Sequence, residues 1–96
     1  MSERTAAALA ALDVLIQRLP ALPASDDRDR VIEETDALRR ATAAFHMEAI
    51  RFRMHAVDRL IRTTGNEPAA RQAFETVRHE LETAGFHTRS HAAPGT

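Results

Sequence analysis

The chain has no cysteine, tryptophan, tyrosine or lysine, and only three glycines and four phenylalanines in 96 residues. Without cysteine there is no disulfide framework, zinc–thiolate site or redox thiol. Without tryptophan and tyrosine there is little to build a base-stacking platform. No apolar run approaches the ~20 residues of a membrane span. Asp13, Gln17 and Arg18 interrupt the N-terminal apolar residues, which speaks against a secretory leader. The glycines fall near helix ends or the terminus, so no phosphate-cradling loop can be placed. No Ser–His–Asp or Cys–His arrangement is apparent either. All thirteen basic residues are arginine. Together with the alanine content this suggests a bacterial, GC-rich genome; the missing leader and apolar span make a cytoplasmic protein the expectation, and no cofactor is expected.

What is present is a long helical signal. From Ser25 to Gly65 there is no proline, and the only glycine is Gly65 at the end. Ser25 suits an N-cap, and Asp26, Asp27 and Asp29 suit the positive end of a helix dipole. Arg59 and Arg62 suit the negative end, and Gly65 a left-handed C-terminal position. Two apolar stripes run along this segment. Val31, Leu38, Phe45 and Phe52 recur every seven residues, with Thr35, Thr42, Ala49 and Ala56 in the other seam position. Ile50, Met54, Val57 and Ile61 form the second stripe. A helix apolar on both sides is enclosed by several neighbours.

Shorter helices flank it. The first, about 2–19, carries Leu9, Leu12, Ile16 and Leu19, widened by Val14 and Leu15, and ends at Pro20-Ala-Leu-Pro23. The last, about 67–84, has Pro68 in its first turn and Ala70, Phe74, Val77, Leu81 and Ala84 as its stripe. Gly85 ends it, with Phe86 folding back onto Leu81 in a Schellman cap. The expected fold is all-α: one domain over 1–86, three helices in the order short–long–short, the long one spanning 26–64, and a flexible tail at 87–96.

Charge suggests an assembly. Residues 1–38 carry four Arg and eight acids, residues 39–64 six Arg and two acids, and residues 65–96 three Arg and four acids. Antiparallel pairing of the long helix with its own copy sets Asp26–Asp36 beside Arg51–Arg62. The expected assembly is therefore an antiparallel homodimer whose seam is Val31, Leu38, Phe45, Ala49, Phe52 and Ala56. Another protein is a further expected partner.

Two residues stand out chemically. His46 and Arg53 lie in the gap between the stripes, so both are expected to point inward, as a small anion or metal pocket or as a polar pair fixing register. Asp36 or Glu33 of the second chain is the expected counterion of Arg53. Glu48 and His55, seven apart, are half of a carboxylate–imidazole metal site at best. Glu75, His79 and Glu82 share a helix face with metal-compatible spacing, on the side away from the apolar stripe. Adjacent His and Met at Phe45-His46-Met47 and Met54-His55 do not make a haem site without an attachment motif. The arginines of the long segment are spread round the helix and face acids, which disfavours nucleic acid. The functional expectation is a non-enzymatic homodimer that binds or regulates a protein. The alternative is a ligand-, anion- or metal-binding bundle built on His46 and Arg53.

Overall fold

An alanine-rich start, Ala6 to Ala11, gives α1 strong intrinsic helicity. It runs Glu3–Arg18 and continues as a 3-10 turn, Leu19–Ala21, where Pro20 removes a donor. Leu9, Leu12, Leu15 and Leu19 are buried, whereas Val14 stays exposed. The Ser25 hydroxyl accepts from the Arg28 N–H at 3.0 Å and opens α2, Asp26–Ala43. The Glu67 carboxylate accepts from the Ala70 N–H at 2.8 Å and opens α4, Pro68–Thr83. These starts, and the stripe of α4, are those the sequence predicts. The structure is a computed structural model that describes residues 3–87. Ser2 and the expected tail beyond His87 lie outside the described residues.

The single long helix is not formed. The run from Ser25 to Gly65 is two helices, α2 and α3 (Met47–Thr63), so the described residues form four helices and no strand. The break falls at Ala44-Phe45-His46, which contains neither glycine nor proline. Phe45 takes the left-handed conformation (φ 60°). Its N–H donates to the Thr42 carbonyl at 3.1 Å, and the His46 N–H donates to the Ala41 carbonyl at 3.0 Å. That is a complete Schellman closure with phenylalanine where glycine is usual. The next residue, His46, is extended (φ −91°, ψ 91°), and its Nδ1 accepts from the Ala49 N–H at 3.2 Å as the N-cap of α3.

The energetics favour the fold-back. A left-handed residue bearing a Cβ costs about 1–2 kcal/mol. Folding α3 back on α2 puts Val31, Leu38, Ile50, Met54, Val57 and Ile61 into one core at 0% exposure. Each such burial contributes about 1.5–3 kcal/mol. The doubly apolar segment therefore satisfies itself within one chain, and an enclosing partner is not required. Thr35 and Thr42 are buried with them, their hydroxyls donating back to the Val31 and Leu38 carbonyls at 2.7 and 2.9 Å.

The helices pair antiparallel. Arg53 donates to Glu34 at 2.8 Å across α2 and α3. Arg4 at the start of α1 donates to the Ala84 carbonyl at the end of α4 at 2.7 Å. Arg71 of α4 donates to Asp58 of α3 at 2.6 Å. The central hairpin α2–α3 is thus nested in sequence inside the pair α1/α4. One core draws on all four helices. The Cα envelope is 34 × 33 × 19 Å, a flattened molecule about two helices thick.

Candidate interaction surface

The side chains left outside the core have their own order. On α2 they are Asp26, Asp29, Arg30, Glu33, Asp36 and Arg40, mainly acidic. On α3 they are Glu48, Arg51, Phe52, His55, Arg59 and Arg62, mainly basic. Both sets recur every three or four residues, so each is a stripe along one face of its helix. Because antiparallel helices rise equally per residue in opposite directions, the Glu34–Arg53 bridge fixes the level of the others. Counted from that bridge, Asp36 falls level with Arg51, and Arg40, Glu33, Asp29 and Asp26 fall within about one residue, ~1.5 Å, of the levels of Glu48, His55, Arg59 and Arg62. Only Glu34 and Arg53 join across this hairpin among the described residues. Asp36 bonds Arg40 on its own helix, and Asp58 bonds Arg62 at 2.6 Å. Arg51 donates to the His87 carbonyl at 3.4 Å, and no carboxylate among the described residues pairs with Arg51 or Arg59.

Phe52 projects from the middle of α3 at 64% exposure, the most exposed large apolar side chain described. Glu48, Arg51 and His55 border a shallow depression beside it. The Arg53 guanidinium lies 5.2 Å from its ring centroid. The break at Phe45 accounts for this placement. A continuous helix would carry the stripe Val31–Leu38 on to Phe52, but the interrupted one restarts α3 in a new phase. Hence Val31 and Leu38 face the chain's own core while Phe52 faces outward. Of the other expected seam positions, Ala56 is buried, Ala49 is half-buried, and Phe45 is exposed and stacks on Phe86 at 5.9 Å between centroids.

His46 is exposed and caps α3, whereas half-buried Arg53 is neutralised by Glu34 of its own chain. Sequence reasoning looked to a second chain for that counterion, because it placed both partners on one uninterrupted helix. Glu48 and His55 are both exposed on α3. Glu75 is held by Arg71 at 3.0 Å and Arg78 at 2.7 Å, while His79 is exposed on the same helix. No group of three His, Asp or Glu side chains among the described residues is placed to hold a metal. No helix among them is long and apolar enough to cross a membrane.

Further ion pairs lie off these two stripes. Asp13 accepts from Arg39 at 2.7 Å, and that hydrogen bond holds its carboxyl below the ordinary 3.8. Partial burial pushes the Glu75 carboxyl up, but the bonds and charges of Arg78 and Arg71 outweigh it and hold it below 4.5. Arg71 and Arg78 also flank the buried Phe74 ring, at 5.4 and 4.9 Å. Sequence spacing did not reveal the Arg71–Asp58 and Arg39–Asp13 links, since each joins different helices. The groove between α1 and α4 is lined by Ala11, Val14, Ala69 and Ala73 with Arg18, Gln72 and Thr76.

Comparison with known proteins gave no matching family model, no matching curated relative and no matching solved structure.

Proposed function

We propose that the protein is a non-enzymatic protein-interaction module whose docking surface is the outward face of α3 around Phe52. The exposure of Phe52 in mid-helix supports this reading. A single exposed apolar residue is ordinary. This one stands among Arg51, Arg53 and Arg59, and aromatic side chains with arginine are the combination enriched at protein interfaces. Burying its ring on association contributes about 1.5–3 kcal/mol, enough to anchor a small interface.

The test places a photoreactive side chain at Phe52 in living cells, with a control at Gln72 in the α1/α4 groove. The expected result is a discrete protein adduct at position 52 that disappears when Arg51 and Arg59 are changed to Ser, and no such adduct at 72. The reading is overturned by no adduct at 52, or by the same adducts at both positions.

A further inference from the structure

We infer that the partner of the α3 face is a second copy of this chain, docked as an intact four-helix protomer with its α2 lying antiparallel over α3. The inference rests on the reading of that face as a docking surface. It involves no helix longer than those described.

In the protomer the acidic stripe of α2 and the basic stripe of α3 lie level but, apart from Glu34–Arg53, are not bonded to one another. A two-fold axis along the hairpin, between two such faces, turns the second copy so that its α2 covers the first copy's α3. The rotation preserves height along the axis. Each residue of α3 then meets the residue of the other α2 with which it is level at home. Arg59 meets Asp29, Arg51 meets Asp36, and Glu48 meets Arg40, so the match holds even where the sign is reversed. Every pair occurs twice by symmetry. A slip of one helical turn would set Glu48 against Asp36 in one direction and Arg51 against Arg40 in the other. Phe52, on the same turn as Arg51, would be covered by the turn of α2 that carries Asp36 and Arg40. Parallel stacking of like faces would instead oppose arginine to arginine, so the charge pattern also excludes the wrong register.

The experiment is sedimentation equilibrium of the full chain at about 0.05 M and about 0.5 M salt, which spans strong and weak screening. The expected wild-type result is a dimer whose dissociation constant rises with salt. Asp29→Arg alone and Arg59→Asp alone should each weaken it about tenfold. The double variant Asp29→Arg/Arg59→Asp should regain most of that loss, because its reversed charges meet again across the two-fold. Phe52→Ser should weaken the dimer while leaving unchanged the thermal unfolding midpoint of the dissociated protomer, read at high salt and low protein concentration. A wild-type monomer up to about 0.1 mM, well above a micromolar affinity, overturns the second copy and leaves the adduct at position 52 as the separate test of the face. A dimer weakened by Phe52→Ser but not rescued by the double reversal overturns the register. A dimer indifferent to all these variants overturns both the inference and the role of the face.

Discussion

The corner joining α3 to α4 and the corner joining α2 to α3 close with the same hydrogen bonds but different residues. At the first, Gly65 (φ 103°) donates to the Arg62 carbonyl at 3.2 Å and Asn66 to the Ile61 carbonyl at 2.9 Å. At the second, Phe45 and His46 make the equivalent bonds. Glycine accepts a left-handed backbone at little cost, so its corner forms wherever a helix must stop. Phenylalanine accepts it only if something else rewards the turn. Here the reward is the core shared by α2 and α3, with a smaller share from the ring of Phe45 on Phe86. One corner is dictated locally, and the other is imposed by what it brings together.

The largest effect is expected from removing the support of the strained corner. Phe86 is 4% exposed and stacks on Phe45, so Phe86→Ala should cost about 3–5 kcal/mol in denaturant unfolding. A loss under 1 kcal/mol would show that the ring supports nothing. Gly65→Ala comes next. A Cβ there meets nothing within 4 Å, so the loss should be the backbone strain alone, about 1–2 kcal/mol. His46→Ala removes the side-chain cap of α3 and should cost about 1 kcal/mol, which His46→Asp should restore. Phe45→Gly has the opposite sign. It relieves the left-handed strain but gives up the stacking on Phe86, for a net gain of up to about 1 kcal/mol. A loss as large as that of Phe86→Ala would mean that the ring, not the backbone, decides the corner.

The smallest effect concerns acid. The Glu75 carboxyl is held below 4.5 in the folded chain. Its contribution is therefore present above that ordinary value and is lost as pH falls through the lower folded value. Glu75→Gln should lower the melting temperature slightly at neutral pH and flatten its fall below about pH 4.5, where the wild type loses the same contribution. A steeper acid limb in the variant would reverse the assignment.

Much of this architecture is legible residue by residue. Ser25, Pro20, Glu67-Pro68 and Gly85-Phe86 mark their helix boundaries because each acts on backbone groups within a few positions of itself. The stripes of α1 and α4 are legible for the same reason, although Leu15 rather than Ile16 is the more deeply buried in α1. At the candidate surface, the acidic and basic stripes can be read directly as spacing. The counterion of Arg53 cannot, because Glu34 reaches it only after the chain has turned back.

By itself, the sequence determines an all-α chain, the outer helix ends, the charge asymmetry between its segments and the apolar character of both sides of residues 25–65. Those follow from short-range propensity and composition, which act without reference to the rest of the fold. Only the tertiary structure decides that this segment is two helices, that Val31 and Leu38 go inside, and that Phe52 goes outside. Ala44-Phe45-His46 has no residue that forces a break. The turn forms because pairing α2 with α3 buries enough apolar surface to outweigh a left-handed phenylalanine, and that balance is struck between residues far apart in the chain.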